Sequence, residues 1–215
     1  MKKVLIIVPH GDDEVLMCGG TIVKHIECGD NVVCVFSKLS MTERQSSQTN
    51  NVVDAKNVLG YSRHIHLGLT ENDMLSNSSI EYMKKIEGVN IQEQPDIVYT
   101  TFWGDSHQDH RATFTAVSTA FRIWGFHPPK QILCGETLSS TDQSLVIPFM
   151  PNYYNVLQDR HIKIKTSAFL KYINEVRVFP HPRSIDGIEL VAKKRGSECG
   201  HTYAEAFMSI RNIIT

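Results

Sequence analysis

Five short apolar runs, rich in β-branched residues, recur between residues 4 and 134 and alternate with segments of helical periodicity. The runs are Val4–Val8, Asn31–Phe36, His64–Leu67, Asp96–Phe102 and Gln131–Cys134. The first and fourth are almost continuously apolar, which is typical of parallel strands that are covered on both faces. The alternation predicts an α/β fold with three layers, in which helices cover both faces of a Rossmann-like, doubly wound and mainly parallel sheet.

Helices are predicted between these runs. They cover Asp13–Cys28, Glu43–Leu59, Ile80–Val89 and a segment from Thr113 to Trp124. With a strand order of 3-2-1-4-5, the first and fourth strands are neighbours at the point where the order reverses. Ligands of such sheets bind in the crevice outside the strand ends at that point.

The C-terminal third has a different pattern. Ser139–Asn155 is polar, contains prolines and predicts a loop or lid, whereas Ile162–Tyr172 and Ile185–Cys199 have helical patterns. Between the two helices, Arg177–Arg183 predicts an extended segment. We therefore predict one domain over residues 1–215, with a Rossmann-like core at 1–136 and a loop and helical or extended C-terminal extension at 137–215.

The composition gives no support for nucleic-acid binding, a disulfide framework, secretion or a membrane span. The 22 basic and 23 acidic residues nearly balance, so there is no electrostatic indication of nucleic-acid binding. The five cysteines are dispersed without a Cys-x-x-Cys pair, which disfavours a disulfide framework and a thiolate zinc site. The first apolar run is too short for a signal peptide, and no segment approaches the ~20 apolar residues of a membrane span. We expect a cytoplasmic protein.

Two polar clusters follow two of the predicted strands. Residues 10–14 read His-Gly-Asp-Asp-Glu directly after the first strand, and residues 107–110 read His-Gln-Asp-His shortly after the fourth. Because these two strands are predicted neighbours, the clusters should meet at one edge of the sheet. Together they predict one site rather than two isolated motifs.

Imidazole and carboxylate groups in this number suit a divalent metal. A catalytic zinc takes three protein ligands and keeps a fourth position for water or substrate. His10, Asp13 and His110 provide such a set and predict one zinc per chain, although these ligands also suit other divalent metals.

The remaining polar groups of the clusters can carry the chemistry. Asp12 lies next to a ligand and is predicted to act as the general base. His107 is predicted to polarise a substrate carbonyl or to protonate the leaving amine, and Asp109 to orient an imidazole. Glu14 fits either a supporting group or a helix-start carboxylate. A simpler alternative is that the carboxylates only cap a helix and complement its dipole.

Four further residues are candidates for substrate binding. Arg44 follows the second strand, Trp103 follows the fourth, and His181 and Arg183 lie in the C-terminal extension. A solvated arginine and a core tryptophan are the alternatives for the first two. If Arg183 or Arg195 lies in the site, a carboxylate or phosphate on the substrate becomes plausible.

The chain resembles the LmbE/PIG-L-type family of zinc-dependent deacetylases. Residues 9–14 (Pro-His-Gly-Asp-Asp-Glu) and 107–110 are similar to that family's two motifs, Pro/Ala-His-Pro-Asp-Asp-Glu and His-Pro-Asp-His. Residues 135–141, 179–184 and 195–207 also resemble bacterial members. The departures are Gly11 and Gln108, which replace prolines at positions that are not ligands.

This resemblance implies removal of the acetyl group from N-acetylglucosamine-type sugars carried on varied aglycones. It implies these roles: zinc ligation by His10, Asp13 and His110, general-base catalysis by Asp12, and charge stabilisation by His107. A lipid, nucleotide, thiol-precursor, antibiotic or oligosaccharide aglycone is compatible with the same core. Relatives often assemble, so a homo-oligomer is also compatible.

The leading hypothesis is therefore a hydrolase in which zinc-bound water attacks the N-acetyl group of a small aminosugar conjugate. One alternative is a metal phosphoesterase, which would normally need a second metal and more bridging ligands. Another is a non-catalytic nucleotide- or sugar-binding module, although no Gly-x-Gly-x-x-Gly or Walker sequence occurs. The third alternative is a catalytically silent family member that serves as an interaction subunit. The presence of every expected ligand and of the base argues against it.

Overall fold

Strands and helices alternate through the first 135 residues of the computed structural model. It describes residues 1–38, 43–70, 73–74 and 79–214, and the side chains of all of these except 43–49 and 79. The elements of this half are β1 (Lys3–Val8), α1 (Asp13–Glu27), β2 (Asn31–Lys38), α2 (Glu43–Leu59), β3 (Arg63–Leu69), α3 (Ser79–Glu93), β4 (Ile97–Thr101), α4 (Gln108–Ala120) and β5 (Gln131–Gly135). Each of the five predicted strands is thus confirmed to within about two residues of its ends.

The C-terminal third adds two strands and two helices within the described residues. These are β6 (Tyr153–Leu157), α5 (Asp159–Phe169), α6 (Ile185–Glu198) and β7 (Tyr203–Asn212), preceded by a short 3₁₀ turn at Thr141–Gln143. The segment Arg177–Arg183 was predicted to be extended, but it contains turns. Its two ends are joined by a hydrogen bond from the Arg177 N–H to the Arg183 carbonyl, at 3.3 Å. None of the helices in the described ranges has the length and apolarity that crossing a membrane requires.

All seven strands belong to one mixed sheet with the order β3-β2-β1-β4-β5-β7-β6. The predicted order 3-2-1-4-5 is confirmed as far as β5, and these five strands are parallel. The prediction was wrong in leaving the C-terminal extension outside the sheet, because β7 pairs antiparallel with both β5 and β6. Ala204 and Ala206 carry little strand propensity, and the buried Glu205 between them interrupts the apolar pattern.

Helices cover both faces of the sheet. Val4, Ile6 and Val8 of β1 pack in one core cluster with residues of α1, α2, α5 and α6, whereas Leu5 and Ile7 pack in a second cluster with residues of α3 and α4. Because both faces are buried, these strands read as continuous apolar runs. The fourth predicted helix was too long, since α4 ends where Phe121 caps it and Trp124 is 94% exposed.

A kink at Cys18 interrupts α1 and is stabilised by a buried ion pair. The backbone N–H groups of Gly20 and Thr21 donate to the Glu205 carboxylate at 3.0 and 2.6 Å. Lys165 donates to that carboxylate at 2.6 Å and to the Leu16 carbonyl at 3.0 Å. Residues of α5 and β7 thereby bind the backbone groups that the kink leaves without helical partners.

Candidate metal centre

The two polar clusters meet at the C-terminal ends of the neighbouring strands β1 and β4. His10 lies just beyond β1, whereas His107 and His110 lie at the beginning of α4. The ring centroids of His10 and His107 are 5.0 Å apart, and those of His107 and His110 are 4.8 Å apart. The parallel pairing of β1 with β4 brings these residues together across almost 100 positions of sequence.

His10, Asp13 and His110 converge on a common point. Asp13 Oδ2 is 3.0 Å from His10 Nδ1 and 3.3 Å from His110 Nε2, and ligand atoms of the three residues lie within 4.8 Å of one another. The other nitrogen of each ring contacts a carboxylate, at 2.9 Å from Asp109 for His10 and at 3.1 Å from Asp105 for His110. Such outer carboxylates fix the ring orientation and tautomer of metal-binding histidines.

A second group of potential ligands comprises His10, His107 and Asp109. In this group His107 Nδ1 accepts the backbone N–H of Asp109 at 3.2 Å and so caps α4. The Asp109 carboxylate also pairs with Lys38 at 2.5 Å, and its Oδ1 is buried without a hydrogen-bond partner among the described residues. The first group fits a metal better, because in the second group the Asp109 carboxylate is already paired with Lys38 and His107 Nδ1 already accepts the Asp109 N–H.

The electrostatics of the first group also suit a cation. Burial disfavours the charged form of both imidazoles, but hydrogen bonds with Asp109 and Asp13 raise the pKa of His10 to about 9. The charge of Asp13 and a hydrogen bond with Asp105 raise the pKa of His110 to about 10. Two imidazolium ions thus balance the surrounding carboxylates, and a divalent metal bound by neutral imidazoles would supply the same charge.

Asp12 lies beside this group without belonging to it. Burial and the neighbouring Asp13 charge raise the pKa of Asp12, whereas Arg183, whose Nη1 is 3.1 Å from Asp12 Oδ2, opposes that shift. Glu14 accepts the Asp12 backbone N–H at 2.9 Å and is a supporting group, not one that lines the site. Burial raises the pKa of Glu14 to about 7, against the effect of its hydrogen bond from Tyr172.

A cavity of about 330 Å³ opens over these residues. Its lining consists of His10, Gly11, Asp12, Lys38, His107, His110, Glu175 and Arg183. The lining is largely polar and combines the predicted base with acidic and basic side chains. Such a lining can bind a polar ligand through hydrogen bonds and charges.

The candidate substrate-binding residues are placed differently. Arg183 lines the cavity, and His181 is exposed with its Nδ1 accepting the Arg183 N–H at 3.1 Å. Trp103 packs against Phe102 and Phe114, with ring centroids 4.7 and 5.3 Å away. Within the described residues, neither His181 nor Trp103 belongs to the cavity lining. The side chain of Arg44 lies outside the described residues.

Four residues of the site were not identified from the sequence. Asp105 lies two positions before His107, so a search for carboxylates next to the histidines would have found it. Lys38 ends β2, a neighbour of β1, and its position at a strand end was a usable signal. Glu175 and Tyr172 reach the site through long-range packing, for which no local sequence pattern exists.

The fold and the paired clusters define an α/β protein with a group of histidine and aspartate residues at the strand ends that could hold a metal ion. The PIG-L family, described as GlcNAc-PI de-N-acetylase, matches residues 5–121 of the sequence. This match covers more than half of the chain, and the chain belongs to that family of deacetylases. The resemblance stated from the two motifs is thereby confirmed.

Individual proteins are similar to this chain in sequence or in structure. The uncharacterized deacetylase YaiS of Escherichia coli is 29% identical over 182 residues, which cover 80% of this chain and 90% of the relative. The conserved protein TT1542 of Thermus thermophilus has a similar structure, with a TM-score of 0.80, 19% identity and coverage of 100% and 97% of the two chains. The N,N′-diacetylchitobiose deacetylase of Pyrococcus horikoshii has a TM-score of 0.78, 22% identity and coverage of 98% and 84%.

Proposed function

We propose that the protein is a zinc-dependent hydrolase that removes the N-acetyl group from an N-acetylglucosamine-type sugar conjugate. The observation that carries this proposal is the convergence of His10, Asp13 and His110 beside the Asp12 carboxylate in an open cavity. One zinc per chain would be held by these three residues. When bound, zinc would polarise the acetyl carbonyl and make a water molecule more acidic.

Asp12 acts as the general base in this proposal. Its carboxylate lines the cavity and takes a proton from the attacking water as the new C–O bond forms. The C–N bond then breaks, and the proton passes to the departing amine. The products are acetate and the free aminosugar.

His107 stabilises the negative charge that develops on the carbonyl oxygen. Its Nδ1 accepts the Asp109 backbone N–H, so the neutral ring carries its proton on Nε2. Burial lowers the pKa of His107 and favours this neutral form. A neutral Nε2–H donor in the cavity suits hydrogen bonding to a developing oxyanion. The Asp109 carboxylate orients His10 from behind.

An aminosugar is supported by the cavity and by the relatives. The cavity volume of about 330 Å³ lies at the lower end of the usual ~300–1,000 Å³ range of ligand pockets, which suits one sugar ring rather than a whole conjugate. The matching family is described as GlcNAc-PI de-N-acetylase, and the Pyrococcus enzyme is an N,N′-diacetylchitobiose deacetylase. We infer that the aglycone extends out of the cavity.

The test is acetate release from N-acetylglucosamine conjugates by zinc-loaded protein, with Asp12→Asn as the variant. We expect Asp12→Asn to lower kcat by ~10²–10⁴-fold, the usual contribution of a general base, while zinc content is unchanged. Asp54→Asn is the matched control, because Asp54 is exposed on α2 and should leave kcat unchanged. Wild-type protein that releases no acetate, but hydrolyses a phosphate ester with two metals per chain, would contradict the proposal.

A further inference from the structure

Asp12 has a backbone conformation that a side-chain-bearing residue rarely adopts. Its φ is 120° and its ψ is −32°, in the left-handed half of φ/ψ space. Such a conformation is strained and persists only where the surroundings impose it. Because Asp12 is also almost fully buried, at 4% exposure, the groups that contact it determine where its carboxylate lies.

The backbone of Asp12 is held through Glu14 and Tyr172. Glu14 Oε2 accepts the Asp12 N–H at 2.9 Å, and Glu14 Oε1 accepts the Tyr172 hydroxyl at 2.6 Å. Glu14 and Tyr172 are 0% and 1% exposed, so water does not compete for these hydrogen bonds. Tyr172, which follows α5, therefore fixes through Glu14 the peptide group that joins Gly11 to Asp12.

The side chain of Asp12 is held by Arg183. Arg183 Nη1 lies 3.1 Å from Asp12 Oδ2 and 2.9 Å from Glu175 Oε2. Arg183 Nε donates to Ser139 Oγ at 2.6 Å. Because Glu175 and Ser139 fix the planar guanidinium, its contact with Asp12 has a defined direction. With Oδ2 engaged by Arg183, Oδ1 is the oxygen available for proton transfer.

We propose that Arg183 and Tyr172 are positioning residues that orient Asp12 for the reaction, Arg183 through the carboxylate and Tyr172 through the backbone. The inference rests on the proposed function in taking Asp12 as the base. It assigns to Arg183 a role that differs from binding an acidic group of the substrate, because two carboxylates already share its Nη1. Neither residue belongs to the group that would hold the metal.

Steady-state kinetics separate positioning from substrate binding. Misplacing a catalytic group by about 1 Å costs ~10²-fold in rate, so Arg183→Gln and Tyr172→Phe should each lower kcat by ~10–100-fold with little change in KM. Arg183→Lys should restore activity only in part, because lysine lacks the planar fork. A raised KM with unchanged kcat in Arg183→Gln would overturn the inference and assign Arg183 to the substrate.

Matched controls exist elsewhere in the chain. Tyr154→Phe removes an exposed tyrosine–glutamate hydrogen bond to Glu198, and Arg160→Gln removes an exposed arginine–glutamate pair with Glu27. Both should leave kcat and KM unchanged. Equal losses in controls and test variants would show a general effect on folding and would contradict the inference.

Crystal structures provide a second readout that does not depend on activity. We expect the Asp12 carboxylate to move by about 1 Å or more, or to occupy two positions, in Arg183→Gln and in Tyr172→Phe. Zinc content should equal that of the wild type. An unmoved Asp12 in both variants would overturn the inference. If wild-type protein releases no acetate but Asp12 moves in the variants, the proposed function fails and the positioning role stands.

Discussion

Replacing Glu205 by glutamine should destabilise the protein strongly, although the two side chains have nearly the same shape. The Glu205 carboxylate accepts hydrogen bonds from Lys165, Gly20 and Thr21. In Glu205→Gln, the new amide group would place donor hydrogens against one of these donors. Lys165, at 4% exposure, would also keep its charge without a carboxylate partner.

The expected magnitude follows from the burial of this pair. Removing one partner of a buried ion pair costs about 3–5 kcal/mol, because the other charge remains desolvated. For a chain of this size, each kcal/mol lowers Tm by ~2–4 °C, so we expect a decrease of ~6–20 °C. The double variant Lys165→Met/Glu205→Gln should be less destabilised than Glu205→Gln alone, since it no longer buries an unpaired ammonium group.

Urea unfolding of the single and double variants measures these free energies. Glu189→Gln is the matched control, because Glu189 pairs with Lys193 on the surface of α6 at 2.7 Å, with 38% and 53% side-chain exposure. This control should change the unfolding free energy by no more than ~0.5 kcal/mol. If Glu205→Gln costs no more than Glu189→Gln, the buried charge does not stabilise the kink of α1 and the reasoning is refuted.

Three further predictions concern single side chains. Burial lowers the pKa of His66 from 6.5 to about 4, so the protein takes up a proton on unfolding below pH 6.5. The free energy of unfolding should therefore fall between pH 6.5 and pH 4. His66→Phe should reduce that fall, as measured by urea unfolding at several pH values. His107→Gln should lower kcat for acetate release by ~10²–10³-fold with little change in KM, and an unchanged kcat would exclude its role at the oxyanion. Trp103→Phe should leave KM for the sugar unchanged, because Trp103 packs on Phe102 and Phe114; a raised KM would place it in substrate binding.

The parallel half of the sheet was predictable because each strand carries its own signal. Val4–Val8 and Asn31–Phe36 are apolar, β-branched and bounded by polar residues, and their burial on both faces explains why alternation is absent. The two C-terminal strands lack that signal. The edge strand β6 (Tyr153–Leu157) is half-buried within a polar stretch, and β7 inserts a charged residue between two alanines. The pairing of β7 with β5 and β6 is a long-range event that local propensity does not encode.

The candidate site was predictable in part for the same reason. His10 and His110 follow strands whose adjacency the topology predicts, so their convergence could be deduced before the geometry was known. Arg183 was a candidate from the sequence, but its contact with Asp12 was not predicted. Tyr172 and Glu175 support Asp12 indirectly, through Glu14 and Arg183, and nothing in their spacing marks them. Much of the support of the proposed base therefore comes from packing across the chain.

Anomalous diffraction at the zinc edge, from crystals of zinc-loaded wild-type protein, tests the metal centre most directly. We expect one peak per chain, with His10, Asp13 and His110 as its protein ligands at about 2.0–2.2 Å. A peak bound by His10, His107 and Asp109 would assign the metal to the alternative group. The absence of any peak at the C-terminal ends of β1 and β4 would contradict the metal-dependent mechanism altogether.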